Sequence, residues 1–63
     1  MRGRKVIVKQ DLYTKTGKKK RLNMGEVVRI TSNEVDENNC VSVTSTMRYY
    51  PIHNVPLDIL ELQ

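Results

Sequence analysis

The chain has few of the residues that stabilise small secreted domains or build catalytic centres. Its 63 residues include one cysteine, Cys40, one histidine, His53, and no tryptophan or phenylalanine. A single cysteine excludes an intrachain disulfide, so the chain fits a reducing, cytoplasmic setting better than a secreted one. One cysteine and one histidine are also too few to complete a four-ligand zinc site. We therefore expect no disulfide, no bound metal and no cofactor.

Apolar runs are short as well. The segment 1–5, which contains three basic residues, is followed by only three apolar residues, 6–8. The apolar region of a signal peptide needs ~7 to 15 residues. No stretch is long enough to cross a membrane. A chain of 63 residues forms one domain at most, here expected over residues 1–63, and buries only ~60% of its unfolded surface. A deep catalytic cavity is therefore not expected, and we predict that the protein is not an enzyme.

Positive charge is abundant but unevenly distributed. Residues 1–21 contain nine Lys or Arg and one acidic residue, whereas residues 22–63 contain two Arg and six acidic residues. The first segment therefore carries +8 and the second −4, within a net charge of +4. A basic surface of this kind attracts anionic partners, such as nucleic acid or an acidic protein surface, through long-range fields. The alternative interpretation is a solvated surface that aids solubility.

Alternation of apolar and polar residues dominates the chain and predicts strands. The predicted strands cover residues 5–13, 24–32, 40–44, 46–52 and 56–62, with polar loops at 14–23 and 33–39. The predicted core is the inward-facing set Val6, Val8, Val28, Ile30, Val41 and Val43. Little more than Ser45 separates the third strand from the fourth, which predicts a tight hairpin. Pro51 and Pro56 restrict the backbone beside them, so we expect a single 3-10 turn at residues 52–55.

The predicted fold class is all-β. Five short strands with one 3-10 turn before the last strand are typical of a small five-stranded barrel, in which closure removes exposed strand edges. The order of three motifs, "DLY" (11–13), "LNMGEVVRI" (22–30) and "YYPIHNV" (49–55), resembles the Src-homology-3-like barrels, in particular bacterial or phage-type members. The resemblance implies a groove bordered by Tyr13, Tyr50 and Pro51. It does not imply binding of proline-rich peptides, because the first loop is basic and Asn54 stands where the family usually has a tyrosine.

The predicted binding site is a basic loop with nearby aromatic residues. Five cations fall within seven residues around Gly17, close enough together to meet adjacent phosphates, and a sixth is Arg48. Tyrosine rings offer faces on which bases stack, although packing at the rim of the core is the alternative for each of them. The predicted anion-binding residues are Lys15, Lys18, Lys19, Lys20, Arg21 and Arg48, and the predicted groove aromatics are Tyr13, Tyr49 and Tyr50.

Three functions are compatible with this pattern. The first is a non-enzymatic binding module for an anionic partner, either nucleic acid or a nucleoprotein complex. The second is a protein-binding accessory factor of bacterial or phage type, which uses the tyrosines and Ile52 while the lysines steer association. The third follows from "RYYPIHNV" (48–55), which resembles the final segment of the plasmid-borne trimethoprim-resistant dihydrofolate reductases; such an enzyme needs an oligomer with a central pore. A nucleophilic pair of Cys40 and His53 is less well supported, because no third residue is available to orient it.

Overall fold

The computed structural model describes residues 2–62, and its regular secondary structure is almost entirely antiparallel strand. The strands are β1 (Lys5–Val8), β2 (Leu12–Tyr13), β3 (Lys20–Leu22), β4 (Val27–Ile30), β5 (Cys40–Thr44), β6 (Ile52–Pro56) and β7 (Leu60–Leu62). Within the described range, the only helical element is one 3-10 turn, Leu57–Ile59. The all-β prediction is confirmed. None of the helical structure in residues 2–62 has the length and apolarity to span a membrane.

The strands form two sheets. The larger has five strands in the order β6-β5-β4-β1-β7, and the smaller is the β2–β3 hairpin. Every strand pairing is antiparallel. The two sheets do not join into a closed barrel, so the coarser prediction of a small all-β fold is confirmed while closure is not.

The core lies on one face of the five-stranded sheet. All six predicted core residues are buried, because strand alternation places them on the same side and the register aligns them, as in Val6 opposite Val28 and Ile30 opposite Val43. Four further buried residues complete the core: Leu22, Val55, Ile59 and Leu60. The sequence pattern did not predict these four.

The predicted first strand, residues 5–13, is wrong in its second half. The sheet strand ends at Val8, and β2 instead pairs with β3, inside the segment predicted as a loop. Leu22, opposite Leu12 in this hairpin, is fully buried. The chain bends at residue 10, and the next residue, Asp11, accepts a hydrogen bond from the Met24 backbone N–H at 2.8 Å. The alternation of apolar and polar residues does not reveal such a bend.

The predicted tight hairpin and the position of the 3-10 turn are also wrong. Strand β6 occupies residues 52–56, and residues 45–51 form the loop that joins it to β5. The pairing of β5 with β6 contains a register shift, and Asn54 in β6 has a φ of 58°. Together they identify a β-bulge. Because of this bulge, Ile52 and Val55 both face the core although they are three residues apart. Such spacing resembles a helical turn. The actual 3-10 turn follows Pro56, whose φ of −60° suits the start of the turn.

Candidate anion-binding surface

The cations of the first loop lie on a hairpin that we call the basic hairpin (residues 12–22). Thr14 closes its loop, because its backbone N–H donates to the Lys19 carbonyl at 2.9 Å and its own carbonyl accepts from the Gly17 N–H at 2.8 Å. The Thr14 hydroxyl lies 3.2 Å from that of Thr16. Gly17 has a φ of 74°, in the left-handed region that favours glycine. The loop is therefore a defined turn with exposed lysines.

Three lysines of the basic hairpin are free of acidic partners. Lys15, Lys18 and Lys19 are exposed, and none of them forms an ion pair with any residue in the range 2–62. Their mutual repulsion is tolerated because exposed charges are screened by water and salt. The turn consequently presents three ammonium groups to solvent that have no ion-pair partner in the described part of the chain.

Lys20 differs from its neighbours in the sequence because it has a carboxylate partner. Its ammonium Nζ lies 3.3 Å from Asp11 Oδ2 and 5.9 Å from the centroid of the Tyr13 ring. The hydrogen bond from the Met24 N–H, together with Lys20, lowers the pKa of Asp11. Lys20 is thus held beside Tyr13, whose side chain is 48% exposed. A half-exposed aromatic ring with a fixed cation at its face is suited to stacking against a base.

The two predicted arginines are engaged within the fold. The guanidinium of Arg21 donates to the His53 carbonyl, which fastens the basic hairpin to β6. Arg48 forms two hydrogen bonds with the Glu26 carboxylate, from Nε and Nη2, each at 2.7 Å. This contact lowers the pKa of Glu26 and raises that of Arg48. Both arginines therefore stabilise the arrangement of loops, and neither joins the free lysines.

The other two tyrosines lie in the loop between β5 and β6, outside the basic hairpin. Tyr49 and Tyr50 are 98% and 80% exposed in the loop 45–51, which Arg48 ties to the turn 23–26. No hydrogen bond, ion pair or cation–π contact among residues 2–62 connects either ring with the basic hairpin. The contact recorded among residues 2–62 between a tyrosine ring and a lysine of the basic hairpin is that of Tyr13 with Lys20. The groove of three tyrosines stays a prediction.

Sequence reasoning missed two exposed methionines, Met24 in the turn 23–26 and Met47 in the loop 45–51. Met24 and Met47 are 68% and 87% exposed and line one shallow depression together with Glu26 and Arg48. We call Met24, Met47, Tyr49 and Tyr50 the methionine–tyrosine patch. The available signal was the presence of large apolar side chains in otherwise polar loops.

Acidic residues gather at a different part of the molecule. The loop 31–39 and the 3-10 turn are joined by the Leu57 N–H, which donates to the Asn39 carbonyl at 2.9 Å, and by the Asn39 amide, 3.5 Å from Asp58 Oδ1. The residues of this acidic cluster are Glu34, Asp36, Glu37 and Asp58. Within the described part of the chain, no ion pair connects the cluster with the basic hairpin. Ion pairing between these two groups therefore does not offset the uneven charge of the sequence within residues 2–62.

Cys40 and His53 have different partners. The Cys40 thiol lies 3.6 Å from the Asn38 carbonyl oxygen, whereas His53 Nδ1 lies 2.7 Å from the Ser42 hydroxyl. Residues 36–39 form a turn in which Asp36 Oδ1 accepts from the Asn38 and Cys40 N–H groups at 2.8 and 2.9 Å. Across residues 2–62, no group of three His, Cys, Asp or Glu side chains is arranged to hold a metal.

Comparison with protein families, with curated proteins and with solved structures gives no match to this chain. The most specific arrangement among its own residues is the basic hairpin, in which Lys15, Lys18 and Lys19 are exposed and Lys20 lies over the ring of Tyr13.

Proposed function

We propose that this protein is a small non-enzymatic binding module of the cytoplasm that engages nucleic acid through the basic hairpin. The observation that carries the proposal is the set of three exposed lysines, Lys15, Lys18 and Lys19, which form no ion pair within residues 2–62 and share the basic hairpin with the half-exposed ring of Tyr13. Lysines supply sequence-independent affinity for phosphates, and an aromatic ring supplies a stacking surface for bases.

The mechanism follows from how the hairpin is held. The closed turn at Thr14 and the contact of Arg21 with His53 fix the hairpin before a ligand arrives, so little ordering is needed on binding. The ammonium groups then replace cations condensed on the phosphate backbone, and release of those cations favours binding. Stacking on Tyr13 contributes about 1 to 3 kcal/mol and requires an unstacked base. The hairpin is therefore expected to prefer single-stranded over duplex nucleic acid.

The Src-homology-3-like barrel is the fold that we propose for the chain as a single domain. Three features support it: five strands in one sheet, a long first loop that carries the cations, and one 3-10 turn directly before the last strand. The fold does not specify the activity, since related architectures serve unrelated functions.

A matched pair of variants tests the proposal by fluorescence anisotropy with labelled single-stranded and duplex oligonucleotides. The triple variant Lys15→Gln, Lys18→Gln, Lys19→Gln removes the free lysines, and the control variant Arg2→Gln, Arg4→Gln, Lys9→Gln removes three exposed cations elsewhere. We expect the hairpin variant to weaken single-strand binding at least about tenfold and the control to weaken it much less. Equal losses would assign the effect to net charge alone.

The methionine–tyrosine patch favours a second candidate function, a protein-binding accessory factor. Exposed Met and Tyr side chains provide an adaptable apolar surface of the kind enriched at protein interfaces. If the unmodified protein binds neither oligonucleotide at low salt, and capture of a cellular protein is lost in Met47→Ser, Tyr50→Ser but kept in the hairpin variant, this function replaces the first.

A further inference from the structure

A second cationic site lies on the outer face of the five-stranded sheet, outside the basic hairpin. It is a shallow depression formed by β1, β4, and the end of β5 with the residues that follow. Its lining residues include Lys5, Val27, Arg29, Thr44, Ser45 and Thr46. Because Val6 and Val28 point into the core, the alternating Lys5 and Arg29 project from the opposite face.

The two cations of this depression are direct cross-strand neighbours. Lys5 stands opposite Arg29 in the pairing of β1 with β4, an arrangement that is destabilising for like charges. Arg29 is held in place, because its Nη1 donates to the Gly3 carbonyl at 3.0 Å. Glu61, opposite Ile7 on the neighbouring strand, is the closest acidic residue in register, but within residues 2–62 neither cation forms an ion pair. Two positive charges are therefore placed side by side with no ion-pair partner among the described residues.

Hydroxyl groups complete the depression. Thr44 is opposite Arg29, and Ser45 and Thr46 follow it along the chain. The Ser45 Oγ is inaccessible to solvent and has no hydrogen-bond partner among the described residues. Such groups normally have a partner, since an unpaired buried donor is unfavourable. An oxyanion in the depression supplies a negative charge, and it becomes an acceptor for this hydroxyl when the Ser45 side chain rotates outward.

We propose that this depression binds a phosphate group. The guanidinium of Arg29 offers a planar pair of donors, the Lys5 ammonium supplies a second charge, and the Ser45 hydroxyl donates the third contact. A free phosphate and a phosphodiester of nucleic acid present the same oxygens. The proposal does not rest on the function of the basic hairpin, which contributes no residue to this site.

Backbone-amide NMR during titration with inorganic phosphate tests the site, with sodium chloride at matched ionic strength as the control. We expect saturable shifts at Arg29 and at residues 44–46 with phosphate only. The affinity should fall about tenfold or more in Arg29→Gln and in Lys5→Gln, and severalfold in Ser45→Ala. The triple hairpin variant should bind phosphate as the unmodified protein does. Equal shifts with chloride, or unchanged affinity in a folded Arg29→Gln, would overturn the proposal.

Two further measurements are needed. The first distinguishes free phosphate from a phosphodiester, and the second tests the site even if Arg29→Gln does not fold. A single-stranded oligonucleotide that competes with inorganic phosphate for the amides of residues 44–46 identifies a phosphodiester, whereas phosphate binding that the oligonucleotide leaves unchanged identifies free phosphate. Arg29→Lys keeps the charge while removing the planar donor pair, so partial affinity in this variant is expected even if Arg29→Gln does not fold. An Arg29→Lys protein with no loss of affinity would count against the assigned geometry.

Discussion

At the residue scale, identical side chains in one short run have different roles. Lys18, Lys19 and Lys20 are consecutive, yet within residues 2–62 only Lys20 forms an ion pair, because it lies in β3 near Asp11 while its neighbours lie in the turn. The sequence predicted the basic cluster but not this division. Pairing depends on how the chain folds back over nine residues, which no local pattern encodes.

The tyrosines give a prediction about binding. Tyr13→Leu should weaken single-strand affinity by about 1 to 3 kcal/mol, because a stacking surface beside Lys20 is lost. Tyr50→Ala should leave this affinity unchanged, since that ring lies in the loop 45–51 without a contact to the basic hairpin among residues 2–62. Anisotropy titrations on both variants, each checked for folding by circular dichroism, make the comparison. A larger loss of affinity in Tyr50→Ala than in Tyr13→Leu would instead support the predicted groove that contains Tyr50.

The core gives a prediction about stability from two adjacent valines. Val28 is buried against the core, whereas Val27 is 47% exposed on the outer face. Val28→Ala should lower the free energy of unfolding by about 1 to 3 kcal/mol, because a domain this small has few compensating contacts. Val27→Ala should change it by less than about 0.5 kcal/mol. Urea denaturation measures both, and a larger loss in Val27→Ala than in Val28→Ala would mean that the faces of β4 are reversed.

At the element scale, strands in which apolar and polar residues alternate strictly were predicted, whereas strands that depend on tertiary contacts were not. Strands β1, β4 and β5 follow period two, so their buried faces could be assigned from the sequence alone. Strand β3 is mostly polar and forms because Leu22 packs into the core. Strand β6 contains a bulge at Asn54, which gives its apolar residues a three-residue spacing that imitates a turn.

The pair of Glu26 and Arg48 provides the element-scale prediction, because it ties the turn 23–26 to the loop 45–51. Glu26→Gln should lower the free energy of unfolding at pH 7 by about 1 to 3 kcal/mol, the usual range for hydrogen bonds to charged groups. The folded pKa of Glu26 lies below its ordinary value of 4.5. Its contribution is therefore fully present above pH 4.5 and is lost as the pH falls through the lower, folded value.

The pH dependence of unfolding distinguishes this pair from a generic loss of charge. Stability of the unmodified protein should decline below pH 4.5 more steeply than that of Glu26→Gln, which lacks the titrating group. Arg48→Gln should show the same flattening, and the double variant should be no less stable than the sum of the single losses predicts. Parallel pH profiles for all of these proteins would show that the ion pair does not stabilise the fold.

At the scale of the whole molecule, three groups of charged residues can be distinguished. The basic hairpin, the outer-face pair of Lys5 and Arg29, and the acidic cluster beside the 3-10 turn are not neutralised by one another within residues 2–62. The sequence predicted the difference in net charge between residues 1–21 and residues 22–63, since this difference follows from counting charged residues. It did not divide the basic residues into two sites, because β1 and β4 had first to be placed in register.

The salt dependence of single-strand binding tests the central claim most directly. A site in which three lysines meet phosphates should give a linear fall of log affinity with log salt, with a slope of about −2 for single strands. The variant Lys15→Gln, Lys18→Gln, Lys19→Gln should bring this slope close to zero, whereas Arg2→Gln, Arg4→Gln, Lys9→Gln should leave most of it. A slope that the hairpin variant leaves unchanged would contradict the assignment of nucleic-acid binding to the basic hairpin.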